Sequence, residues 1–157
     1  MKWKTKDADL FLKSGEYVDS LLIPLTPVDF KQDFKSSVSM GEYTDLLCEE
    51  IERQLQGRLF LGPKFTYVKE MSDTSPLENL NNLLKHIADS GHFKHIFLMT
   101  SDVSWKEFEH TMNGQLFWIP ALPLENMDEK YKLEVIKEQV KPLFQLIFNE
   151  WQRDVNS

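Results

Sequence analysis

Apolar positions along the chain fall in two rhythms. At 96–99 four large apolar residues, Ile-Phe-Leu-Met, run unbroken between Gly91 and the polar triplet Thr100-Ser101-Asp102. A run of that length between turn signals predicts a strand buried on both faces. Leu21-Leu22-Ile23 repeats the pattern just ahead of Pro24 and Pro27. The prolines predict the end of that strand, because they cannot donate to a ladder. Residues 59–68 are extended in character, and Phe65-Thr66-Tyr67-Val68 is rich in strand formers. Gly62-Pro63 breaks the stretch, giving either a hairpin or a bent entry into one strand. Leu116-Phe117-Trp118-Ile119, closed by Pro120 and Pro123, is the fourth strand candidate.

Between these runs the apolar spacing changes to three and four. A helix is expected over 5–13, with Thr5 as cap, Asp7 and Asp9 at its positive end and Gly15 at its stop. Leu10 and Phe11 would face inward. Ser39-Met40-Gly41-Glu42 has the spacing of a capping box and opens a helix toward residue 56. Tyr43, Leu46, Leu47, Ile51 and Leu55 fall on one of its faces. Ahead of it, 26–39 is polar and irregular. Phe30 and Phe34, four apart, mark either one packed helical turn or two exposed anchors, and packing is the preferred reading. After a loop at 71–74, Ser75-Pro76-Leu77-Glu78 combines a cap, a first-turn proline and a glutamate at the third position. Trp105, Phe108 and Met112 lie at helical spacing. From residue 128 to near 153 the pattern is helical throughout, and Pro142 must kink that helix or split it.

Helices and strands therefore alternate. Such alternation defines the α/β class. We expect a single layered domain over 1–157, with a mixed sheet of about four strands flanked by helices and a long C-terminal helix. Strands joined through helices should be parallel, and Asn113-Gly114 is where an antiparallel edge strand could enter.

The net charge of −7 argues against a nucleic-acid module, which needs a basic face. The lone Cys48 reads as a small buried apolar residue, consistent with a reducing compartment. Lys2, Lys4 and Lys6 lead into Asp7 and Asp9 and not into an apolar segment, so no targeting signal is expected. Trp3 among these lysines could touch an anionic membrane, but a solvated terminus is preferred. The apolar runs are of strand length, so no transmembrane segment is expected and the location reads as cytoplasmic.

No phosphate-cradling glycine loop and no Gly-x-Ser-x-Gly elbow occurs. His86, His92, His95 and His110 lack the spacing of a zinc set and read as histidines around a turn, so no metal and no cofactor are expected. Carboxylates beyond strand ends are the best enzymatic candidates, because open α/β sheets bind ligands there. Asp102 and Asp29 occupy such positions, with Thr100 and Ser101 as further hydrogen-bonding groups. Capping by Asp102 of the segment carrying Trp105 is the simpler role. Four tryptophans are many for this length, and Trp105 and Trp151, with Phe30 and Phe34, are candidate anchors for a protein partner.

Lys2-Trp3, Asp7-Ala8-Asp9, Tyr17-Val18-Asp19, Ile23-Pro24-Leu25, Phe65-Thr66-Tyr67 and Phe97-Leu98-Met99-Thr100 resemble a bacillar family of uncharacterised small proteins over nearly the whole chain. Members of that family are encoded near menaquinol–cytochrome c reductase subunits. The resemblance therefore implies, by association, a link to respiratory-complex assembly. The order of segments 21–25, 44–55, 65–68, 80–88 and 96–102 is also similar to the amino-terminal domain of TolB and its relatives among outer-membrane assembly and peptidoglycan-synthase activator lipoproteins. That likeness spans 18–120 and implies a binding module on a mixed sheet. The chain departs from it at both ends, with no lipoprotein signal and an extra final helix, so the extracytoplasmic location does not carry over.

Two readings follow. The preferred one is a non-catalytic cytoplasmic binding or assembly factor that recognises another protein through an aromatic or sheet-edge surface. The alternative is a small enzyme or ligand-binding domain with a cleft around Asp102, Thr100, Ser101 and Asp29.

Overall fold

The computed structural model describes residues 1–69 and 75–155. The elements, in order, are α1 (Thr5–Ser14), β1 (Ser20–Val28), α2 (Phe34–Leu55), β2 (Leu59–Leu61), β3 (Phe65–Val68), α3 (Ser75–Ser90), β4 (His95–Thr100), a 3-10 helix (Val103–Phe108), β5 (Gln115–Trp118) and α4 (Glu129–Val155). The strand order is β2-β1-β4-β5, with β3 also paired to β1. The α/β class and the long final helix are as expected, but the sheet has five strands, and every pairing among the described residues is parallel. The expected mixed sheet is thus corrected. The 3-10 helix and the turns after it carry the chain back along β4, so the strand following Asn113-Gly114 enters parallel.

β1 is longer than its prolines predicted, and the reason lies in which way each nitrogen faces. Ser20 N–H and the Leu22 and Val28 carbonyls bond toward the β2–β3 side, whereas the Asp19 carbonyl bonds toward β4. Even-numbered positions of β1 therefore face β2 and β3, and odd-numbered positions face β4. Pro24 turns its nitrogen to the gap between β2, which ends opposite Leu22, and β3, which begins opposite Leu25. Pro27 turns its nitrogen past the last residue pair with β4, at Pro24–Met99. Neither missing donor falls where a ladder bond is due. β2 and β3 are accordingly two pieces of one edge, interrupted at Gly62-Pro63, which selects the bent entry over the hairpin.

Side chains alternate across this sheet into two cores. Leu22, Phe97, Met99 and Phe117 meet α2 and α4 through Tyr43, Leu47, Ile51, Val140 and Ile147. Leu21, Ile23, Leu25 and Leu98 meet α3 and the 3-10 helix through Leu80, Leu84 and Trp105. Cys48 is buried in the first core, and burial pushes its thiol well up from its ordinary value. Several boundaries differ from expectation. α2 begins at Phe34, because Asp29 organises the preceding turn by accepting from Lys31 N–H and Asp33 N–H, and the Ser39–Glu42 box lies inside the helix. The Trp105 segment is one 3-10 helix of six residues. α4 continues through Pro142, whose ring sits on the solvent side. In α1 Phe11 packs on the body, while Leu10 is exposed. The loop expected at 71–74 lies outside the described residues. Among the described residues no helix is long and apolar enough to cross a membrane.

Candidate functional site

The chain leaves β1 toward β2 on one side and returns to β4 on the other, so the strand order reverses between β1 and β4. The carboxyl ends of two such strands form the crevice where open α/β sheets take ligands. Here Val28-Asp29 ends one strand and Thr100-Ser101-Asp102 ends the other.

A hydrogen-bonded network fills this position. Asp102 is 1% exposed. One of its oxygens accepts from the Ser104 N–H at 3.1 Å and the Ser104 hydroxyl at 2.8 Å, capping the 3-10 helix. The other accepts from the Tyr67 hydroxyl at 2.7 Å. The Asp102 N–H donates to Thr100 Oγ1 at 2.9 Å. Tyr67 Oη in turn accepts from Trp105 Nε1 at 2.7 Å. Burial, followed by the Asp102 charge, drives the Tyr67 phenol far above its ordinary pKa. Ser101 points to the other face of the sheet and shares a 3.3 Å hydrogen bond with Thr44 of α2. Asp29 is fixed in its own turn, and hydrogen bonds from the Lys31 and Asp33 backbone hold its carboxyl below the usual value. Among the described residues it shares no hydrogen bond with the Asp102 network. The arrangement ties β3, β4 and the 3-10 helix together and buries its carboxylate among the described residues.

The aromatic candidates separate sharply. Trp105 is a core residue, edge-on to Tyr67 with ring centroids 5.0 Å apart, and cannot serve as a surface anchor. Trp151 is also buried, at the opposite end of the sheet. Its Nε1 donates to the Ser20 hydroxyl at 2.7 Å, and the Arg58 guanidinium lies 4.1 Å from its ring centre. The expectation of exposed anchors is corrected at both positions, since each indole finds a buried acceptor. Phe30 and Phe34 go the other way. They are 75% and 48% exposed and pack on one another edge to face at 5.3 Å, not on the body. Val38, one turn further along α2, and Val68, at the end of β3, are exposed beside them. A 450 Å³ hollow separates the Phe30 loop from Val68 and Lys69. β3 is an edge strand, and the ladder parity turns its Thr66 and Val68 backbone groups outward. His92 and His95 point differently: His92 lies on the surface against Phe11, and His95 is buried and stacked on Phe97.

Sequence reasoning missed Tyr67, the hub of the network, and Thr44. Tyr67 carried one signal, an inward parity in a half-buried strand with a polar tip that needs a partner. Thr44 carried none.

The fold defines a parallel, three-layer α/β domain whose strand ends carry a buried polar network and are bordered by an exposed aromatic turn. The chain belongs to the family described as protein of unknown function (DUF2487), which matches residues 9–151. It is similar to "Uncharacterized protein YpiF" of Bacillus subtilis (strain 168), at 32% identity over 151 residues, covering 96% of this chain and 98% of that protein. The resemblance to a bacillar family of small proteins is thereby established. No solved structure matches the chain.

Proposed function

We propose that the protein is a non-catalytic, cytoplasmic protein-binding or assembly factor, and that its partner seats an apolar side chain on the Phe30–Phe34 pair. The observation that carries this reading is that exposed pair, which lies beside the outward-facing edge of β3 at the carboxyl end of the sheet. Aromatic side chains left in water next to an open strand edge suit a partner segment that extends the sheet and inserts one anchor. Respiratory-complex subunits are the partner class that the family resemblance implies. The burial of Asp102 weighs against the enzymatic alternative.

The test is paired affinity capture from detergent-solubilised cells at native expression, using the wild type and a Phe30→Ser/Phe34→Ser variant, followed by reconstitution with the purified partner. A defined partner that binds the wild type at least ten-fold more tightly than the variant supports the proposal. Equal binding by both, or recovery of the protein alone, refutes it.

A further inference from the structure

A second concavity lies on the face of the sheet away from α2, between α1 and α3, with a volume of 300 Å³. Its floor is the sheet itself: Leu21, Ile23 and Phe60, all buried. Phe11, Leu83 and Ile87 form its walls. Among the described residues its polar lining is His86, Ser90 and His92, all exposed at the mouth. The mouth also leaves Trp3 and Leu12 in water, at 67% and 72% exposure.

These features specify an occupant. Apolar cavities of about 150 Å³ take up benzene, so this one holds a hydrocarbon body roughly twice as large, on the order of ten carbons. An apolar floor with imidazoles confined to one end suits an elongated molecule with a single hydrogen-bonding head. An entry path exists as well. α1, which covers one side, has no buried residue and rests on the body through the Phe11 ring, 5.7 Å from Phe60 and 5.3 Å from Phe93. An element with so little buried surface opens at low cost.

We propose that this cavity binds a single-chain amphiphile of medium length, its alkyl chain on Leu21, Ile23 and Phe60 and its head group between His86 and His92. The site is separate from the Phe30–Phe34 surface and does not depend on it.

The test is titration of the full chain with monomeric decanoate and decanol, followed by methyl NMR. The expected result is saturable shifts confined to methyls around the cavity, such as those of Leu21, Ile23, Leu83 and Ile87. Ala8→Phe, which fills the cavity from an exposed position of α1, should weaken binding at least ten-fold. Leu12→Glu, which puts a carboxylate at the mouth, should weaken decanoate more than decanol. Butyrate should not saturate the site. Absent shifts, unsaturable shifts that spread to Val38 and Val68, or shifts unchanged in both variants would overturn the proposal. So would binding seen only with phospholipid vesicles, or a wild-type dimer that Ala8→Phe dissociates without any effect of decanoate.

Discussion

Tyr67→Phe removes one oxygen from the centre of the strand-end network. That oxygen donates to Asp102 at 2.7 Å and accepts from Trp105 Nε1 at 2.7 Å. Asp102 keeps its two bonds from Ser104, so it does not become an isolated charge. It still loses a charge-assisted bond, of about 1.5–3 kcal/mol, and the buried indole N–H is left without an acceptor, at about 1–3 kcal/mol. These costs overlap, because the side chains relax together, and the expected loss is about 3 kcal/mol. In a chain of this size that lowers Tm by about 6–12 °C. Tyr43 is the internal control. It is fully buried, yet its hydroxyl has no hydrogen-bond partner among the described residues. Tyr43→Phe removes the same atom without breaking a bond, and should lie within about 0.5 kcal/mol of the wild type or gain stability. Urea unfolding followed by circular dichroism reads both variants, and a double-mutant cycle with Trp105→Phe isolates the coupling. If Tyr67→Phe costs no more than Tyr43→Phe, or if its effect simply adds to that of Trp105→Phe, the network does not hold the strand ends together.

Alkaline pH should act through the same phenols. Tyrosine in the unfolded chain ionises near pH ~10, whereas burial pushes Tyr43 up to about 12 and Tyr67 further. Their contribution is complete below about pH 10 and is lost as pH rises toward the folded values. Tm should therefore fall above that point, and less steeply in Tyr67→Phe. At the other end of the sheet, burial works to raise the pKa of Asp19, but hydrogen bonds from Arg58 and Ser20 outweigh it and hold the carboxyl low. Its contribution is present above about pH 4, the unfolded value, and is lost as pH falls through the folded value. Arg58→Gln should cost about 1 kcal/mol at pH 7, since the pair is partly exposed, and should flatten the acid limb of a Tm–pH curve. An acid limb as steep as that of the wild type would refute this.

Much of the layering was legible in the chain, because burial writes itself into spacing. Leu80 and Leu84, four apart in the helix that Ser75-Pro76-Leu77-Glu78 announces, both face the core, and residues 96–99 form a strand covered on both faces. What local sequence could not show is direction. Whether a proline ends a strand depends on which neighbour its nitrogen faces, and that is set by pairing partners far along the chain. The same holds for the aromatics. Trp105 is at helical spacing and Phe30–Phe34 is too, yet one is drawn inward by a tyrosine 38 positions away, while the other pair follows a turn that Asp29 holds clear of the core. The candidate surface was named among four aromatics, and only the tertiary structure divides them.

The two prolines of β1 also bear on how the protein avoids misfolding. Leu21–Leu25 is the sort of short apolar stretch that stacks into cross-β aggregates when a chain is newly made or transiently open. In the native register both missing donors are harmless. Sliding β1 by one residue would turn its whole apolar set to the opposite faces. Sliding it by two residues along β2 would set Pro24 where Leu22 now pairs with Leu61, and would leave a carbonyl unanswered. Identical copies stacked in register would forfeit a bond at every layer. The strand therefore carries its own guard against aggregation at the centre of the sheet, where charged side chains would have destroyed the core.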